Sequence, residues 1–304
     1  MPRQIEPQVI CLGEVLFDKL ADQTGSELAS VQSWTRYPGG APANVATGLA
    51  KLGISSALLS CLGQDADGDE LLRLLTEVGV NTLGIQRQAT APTRVVEVLR
   101  DRQGQPTFAG FGGRSPDRFA DTYLDAQHLP NELFVTADYL VLGTLVLAYP
   151  AAGIATQRAI QLAQHYDLAI FLDLNWRPMF WLNPADAATV IWDILTAVHY
   201  LKLTTAEADW FFNSQDLNQI AACLADRHSS IQLIVMTAGD QGCHYWLRSP
   251  SAQPHIGWLP AFQVLSVDST GAGDAFLAGL ILDLRTPSII QHYYDTKHTV
   301  LNEV

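Results

Sequence analysis

The chain has 304 residues, 48% of them hydrophobic, and a formal net charge of −13. It is long enough to bury a sizeable core, and its charge opposes encounter with nucleic acid or anionic membrane surfaces while leaving a neutral small molecule indifferent. An anionic nucleotide would have to be met by cations gathered locally. No run of 18 apolar residues is long enough to span a bilayer, and MPRQIEPQVI lacks the apolar segment of a secretory leader. The expectation is a soluble, cytoplasmic protein. Cys11, Cys61, Cys223 and Cys243 form no CxxC pair and sit in apolar surroundings, which predicts free thiols in a reducing compartment.

In chain order, residues 9–12, 57–61, 139–142, 169–172, 200–203 and 233–236 are short apolar runs without clean alternation, the pattern of strands buried on both faces. Helical patterns lie between them at 42–52, 67–78, 151–165, 185–197, 206–212 and 217–226, with Gly, Pro or a capping residue at many joints. Strand–helix alternation at this spacing predicts a doubly wound α/β fold, a mainly parallel sheet flanked by helices. Two segments break the rhythm, near 14–37 and 92–115. The second reads as strand, turn, strand (TRVVEVLRD, RQGQ, PTFAGFGG). They are expected to form a small β lid over the ends of the main strands, where ligands bind in open α/β folds. The whole chain, 1–304, is taken as one such unit.

Two segments carry chemistry. In Asp268-Ser269-Thr270-Gly271-Ala272-Gly273-Asp274 a strand-like approach over 262–267 leads through two glycines into an apolar helical run. Converging N–H groups and the helix dipole make an anion hole there. Asp274, on the first turn, is placed to accept a hydroxyl proton as the oxygen attacks a phosphoryl group. The blander alternative is a tight turn with Asp274 complementing the dipole. The second segment is Gly39-Gly40-Ala41-Pro42-Ala43-Asn44. Its paired glycines permit close backbone approach, Pro42 suits a helix start, and Asn44 can present donor and acceptor to a sugar hydroxyl, or be merely solvated. There is no GxxxxGK[ST], so this is not a P-loop enzyme, and with no GxGxxG after the first strand a classical dinucleotide fold is not expected.

GGAPAN followed far downstream by DSTGAGD resembles the paired signatures of the ribokinase-like, or PfkB, carbohydrate kinases. The similarity extends through Gly13-Glu14-Val15-Leu16-Phe17-Asp18, Leu62-Gly63-Gln64-Asp65-Ala66-Asp67-Gly68, Asp173-Leu174-Asn175-Trp176-Arg177 and Val235-Met236-Thr237-Ala238-Gly239-Asp240-Gln241-Gly242. The resemblance implies an ATP-dependent sugar kinase, and GGAPANVA with DLNWRPMFW is most similar to the fructokinase branch, so fructose is the expected sugar. It implies Asp274 as the base and Gly271, Ala272 and Gly273 as the anion hole. Asp18, Gly39, Gly40 and Asn44 would hold the sugar, and Asn175, Arg177, Thr237, Gly239 and Gly242 would face ATP. Mg²⁺ would be organised through water by Glu207, and K⁺ is allowed in a partial site at Asp268 and Thr270. A homodimer through the lid would cover its strand edges.

Two departures bear on this. The family's NxxE segment reads Thr204-Thr205-Ala206-Glu207, keeping the acid without the amide. After Leu284 the chain ends RTPSIIQHYYDTKHTVLNEV, unlike the two helices that usually follow, so 285–304 is expected to be an atypical, truncated C-terminus. That leaves a second expectation: another sugar or sugar-acid kinase, or a family member impaired in catalysis that senses ligand or acts as a scaffold. His292, Tyr293, Tyr294 and His298 fit no metal-ligand spacing.

Overall fold

The computed structural model describes residues 6–102, 106–226, 230–249, 253–263 and 269–285. From the N-terminus, β1 (Val9–Leu12) runs into β2 (Leu16–Thr24) and β3 (Trp34–Gly39), which opens directly onto α1 (Ala41–Lys51). Then come β4 (Ser56–Gly63), α2 (Ala66–Val78), β5 (Ile85–Gln88), β6 (Val95–Arg100) and β7 (Pro106–Gly110). After a stretch of short 3-10 turns the chain continues through β8 (Tyr139–Leu142), α3 (Pro150–His165), β9 (Ala169–Asp173), α4 (Ala187–Leu195) and β10 (Tyr200–Thr204). It goes on through α5 (Thr205–Phe212), α6 (Leu217–Ala225), β11 (Leu233–Thr237), β12 (Cys243–Leu247), β13 (His255–Leu259) and α7 (Ala272–Arg285).

Nine strands form the main sheet in the order β13-β12-β11-β10-β9-β8-β1-β4-β5. Every pairing from β11 to β5 is parallel, while β12 and β13 are antiparallel additions at one edge. Successive residues of β1 point to opposite faces. Ile10 and Leu12 join the core under α3, α4 and α6, and Val9 and Cys11 join the core under α1, α2 and α7. That two-faced burial is why these strands read as continuous apolar runs. The six hydropathy-marked strands lie within β1, β4, β8, β9, β10 and β11. The hydropathy pattern does not mark β5, β12 and β13: β5 is Ile-Gln-Arg-Gln, half-buried throughout, and β12 and β13 are largely half-buried or exposed edge strands. All four cysteines are free, and among the described residues no helix is long and apolar enough to cross a membrane.

The lid is a separate four-stranded sheet, β3-β2-β6-β7, built from the two segments that break the α/β rhythm. β2 pairs antiparallel with β3 and parallel with β6. It is tied to the body at both ends of the site. β2 leaves the carboxyl end of β1 after three residues, and β3 feeds α1 without a loop. Asp65 fastens the far side. It N-caps α2 through Gly68 N–H (2.8 Å) and also accepts from Thr93 N–H (2.8 Å) and Thr93 Oγ1–H (2.7 Å), just before β6. Beneath the lid the Arg94 guanidinium is fully buried, donating to both Asp121 oxygens at 2.6 and 2.8 Å and ringed by Phe111, Phe119, Tyr149 and Phe180. α7 extends through Arg285. The remainder of the atypical tail, 286–304, and most of the strand-like approach, 264–268 with Asp268, lie outside the described residues.

Candidate active site

A cavity of about 980 Å³ lies between the lid and the carboxyl ends of β1, β9, β10 and β11. This is the end of a parallel sheet where loops converge and ligands bind. The lid supplies Leu16, Asp18, Leu20, Val96, Val98 and Phe108; the opposite wall holds Ser269 to Asp274.

α7 enters the cavity from a glycine. Gly271 has φ +75°, a left-handed conformation open to glycine at little cost, and it turns the chain so that the first turn faces inward. The Ala272 N–H is taken up by Ser269 O at 3.1 Å, and the Ala275 N–H by Gly271 O at 2.9 Å. Sequence alone offers the N–H groups at Gly271, Ala272 and Gly273 equally. The structure engages the Ala272 N–H in the turn, and the first N–H groups of a helix have no acceptor within the helix itself. Asp274 is half-buried, and desolvation pushes its carboxyl up to about 6. Asn44 opposes the rise by donating Nδ2–H to Oδ2 at 2.8 Å, while the charge of Asp173 adds to it.

Asn44 stands one turn into α1, and the glycines before it are set by crowding. Gly40 has φ +98°, and a Cβ there would lie 2.5 Å from the Glu14 carbonyl oxygen. A side chain at Gly39 would collide with Asp18. The Asn44 side chain therefore bridges to Asp274, a partner that sequence did not suggest for it. Its carbonyl oxygen and second amide proton have no protein partner among the described residues. Asp18, Gly40 and Asn44 line one cavity with Asp274, and Gly39 is not among its lining residues.

The third wall comes from β9 and β10. Asp173 ends β9, and Asn175, with φ +38°, turns the following loop across the strand ends. Arg177 donates to Trp176 O at 2.9 Å and pairs with no carboxylate among the described residues, so its charge faces the cavity. Glu207 accepts the Thr204 N–H at 2.8 Å and the Trp176 N–H at 2.7 Å, and Thr204 Oγ1 in turn accepts the Glu207 N–H. Thr204-Thr205-Ala206-Glu207 is thus a capping box, legible in its S/T-x-x-E pattern. Its acid also clamps the loop that carries Asn175 and Arg177. Thr237, Gly239 and Gly242 line the cavity further out, along with Leu259 and Phe262. Thr270 belongs to the site, but Asp268, the other half of the proposed K⁺ pair, falls outside the described residues.

Two charged lining residues, Glu14 and Lys202, went unassigned at the sequence level. Glu14 is 2% exposed; Oε1 accepts the Ala41 N–H at 2.9 Å and Oε2 is buried without a partner. Burial pushes its carboxyl up to about 8, with the charges of Asp121 and Asp274 adding to the rise and backbone hydrogen bonds opposing it. Lys202 lies within β10 and bonds to Asp173 Oδ2 at 2.7 Å. A lysine in the otherwise apolar run YLKLT was the available signal, since a charge in a buried strand needs a partner. Among the described residues no group of three or more His, Cys, Asp or Glu could hold a metal by itself. The chemistry on offer is a raised-pKa carboxylate beside a helix start, with two cations a short distance behind it.

Comparison with known proteins identifies the family. The pfkB family carbohydrate kinase model matches residues 6–288. Fructokinase-1 of Zea mays is 31% identical over 284 residues, covering 93% of this chain and 85% of that protein. Among solved structures, fructokinase with bound ATP from Xylella fastidiosa is 30% identical with a TM-score of 0.78, over 90% of this chain and 80% of that one. Halothermothrix orenii fructokinase is 28% identical with a TM-score of 0.76, over 92% and 93%. The ribokinase-like architecture with its small lid is therefore the fold, and the chain belongs to the pfkB family of carbohydrate kinases.

Proposed function

We propose that the protein is an ATP-dependent fructokinase. The observation that carries this is the Asn44–Asp274 hydrogen bond, which joins the lid-side glycine segment to the helix-start carboxylate across one cavity. A sugar hydroxyl beside this pair lies within reach of a base and of an anion-holding helix start at once. The lid half of the cavity is apolar apart from Asp18, with no arginine or lysine from the lid among the described lining residues. That suits a neutral sugar better than a phosphosugar or a sugar acid, and the fructokinase names of the relatives support fructose.

Asp274 accepts the proton of the attacking hydroxyl as its oxygen bonds to the γ-phosphorus and the bond to the β-phosphate oxygen breaks, leaving ADP. The N–H groups at the start of α7, those of Gly271 and Gly273 among them, stabilise charge on the equatorial oxygens. Asp18, Gly40 and Asn44 orient the sugar, while Asn175, Arg177, Thr237, Gly239 and Gly242 face the nucleotide. Mg²⁺ supplies charge neutralisation along the phosphates when bound. The donor set fits a metal that arrives with ATP and keeps its water, since each Glu207 oxygen already accepts a backbone N–H and retains a lone pair. A K⁺ site at Thr270 with Asp268 is part of the same proposal. So are a dimer through the lid edges β3 and β7 and a cytoplasmic setting, which free thiols suit.

A coupled assay of ADP release over a panel of free sugars, phosphosugars and sugar acids tests this. Fructose is expected to give the highest kcat/KM. Preference for a charged sugar would replace the substrate assignment, and turnover of none would overturn the function.

A further inference from the structure

Lys202 is a buried cation that the proposed reaction has not yet used. Its side chain is 7% exposed, and the residue lines the cavity. In the parallel pairing of β9 with β10 it stands directly opposite Asp173. One of its three ammonium donors is held by Asp173 Oδ2 at 2.7 Å, and among the described residues the other two meet no acceptor. Nζ lies against the first turn of α7, since a Cβ built on Gly273 would stand 3.1 Å from it. Any side chain at Gly273 would therefore press on the ammonium, which gives that glycine a second reason to be one. An ammonium buried with unmet donors is unfavourable unless an anion completes its shell. Here it stands beside a helix start that also favours one.

We infer that Lys202 holds the phosphoryl oxygens of the transferred group at the cavity floor beside Gly273, with Asp173 locking its side chain in place. Lys202 acts as a hydrogen-bond donor only and takes no part in the proton transfer. The inference rests on taking residues 271–274 as the transfer site. Lys202 and the helix-start N–H groups would approach the same oxygens from different directions, as a charge spread over three equatorial oxygens requires.

Isothermal titration calorimetry of the full chain with Mg²⁺ and β,γ-imido ATP, and in parallel with AMP, tests this on Lys202→Met and on Asp173→Asn/Lys202→Met. The double variant removes the carboxylate that the single one leaves buried without compensation. In a variant that keeps the wild-type circular dichroism spectrum, the imido triphosphate is expected to bind at least tenfold more weakly, with AMP changed less than twofold. A measurement on the wild-type chain needs no substitution. With ¹⁵N-labelled lysine, an exchange-protected Nζ resonance should shift on adding the imido triphosphate and not on adding AMP. Unchanged triphosphate affinity in a folded variant, or an unmoved resonance, overturns the role of Lys202 alone. Wild-type protein that binds no imido triphosphate overturns the transfer site and this role together.

Discussion

Asn44 and Asp274, 230 positions apart in the chain, share a hydrogen bond of 2.8 Å from the amide Nδ2 to the carboxylate Oδ2. The contact couples the lid-fed helix α1 to α7, and it favours ionisation of the Asp274 carboxyl. Burial raises the Asp274 carboxyl to about 6, and the Asn44 amide, donating to its charged form, holds it from rising further.

The rate should therefore fall on the acid side as Asp274 takes up a proton, with a midpoint near 6 in kcat/KM. In Asn44→Ala that acid limb should move to higher pH, because the bond favouring the carboxylate is gone. Rate profiles between pH 5 and 9 check this, and a limb that stays put or moves down would remove Asn44 from its role on the base.

Asp274→Asn should cost 10²–10⁴-fold or more in kcat, about what removal of a general base costs, and it should raise stability at neutral pH. A carboxyl whose folded value is raised from 3.8 to about 6 is penalised when ionised. The penalty is absent below about pH 4, grows between 4 and 6 and is complete above. A shift of about two units corresponds to at most about 3 kcal/mol, or a few degrees in Tm. Thermal melts of both proteins at pH 4 and pH 8 should show a gap only at the higher pH. A gap of equal size at both would assign the effect to packing.

Asp18→Ala should weaken sugar binding about ten- to a hundredfold, the worth of a hydrogen bond to a charged group. ATP affinity should barely change, since Asp18 sits on the lid strand β2 and Thr237, Gly239 and Gly242 on the far wall. Calorimetric titration with each ligand separates the two, and equal losses would contradict the division of the cavity.

Arg94→Met should destabilise the protein by roughly 3–5 kcal/mol, because Asp121 would be left as an unpaired buried charge. Arg94→Met/Asp121→Leu should regain most of that loss. Urea denaturation of the two variants decides between a buried pair that must be kept or removed together and an arginine that acts only by filling its aromatic cage.

The α/β body was legible without coordinates, because strands buried on both faces must be apolar throughout and their helices carry local capping chemistry. β1 and β8 match the apolar runs residue for residue. The helix start at Gly271–Asp274 and the Gly39–Gly40 turn were also legible, since left-handed or crowded backbone narrows the choice of residue. Tertiary structure alone decided who touches whom. Asn44 reaches Asp274, Lys202 reaches Asp173 and the floor under Gly273, and Glu14 folds under Ala41. These pairings depend on strand order and on the register of β9 against β10, which local composition does not encode. The half-buried β12 and the mostly exposed edge strand β13 escaped notice for a related reason: a strand that is only partly covered need not be apolar, and its hydrogen-bonded neighbours define it.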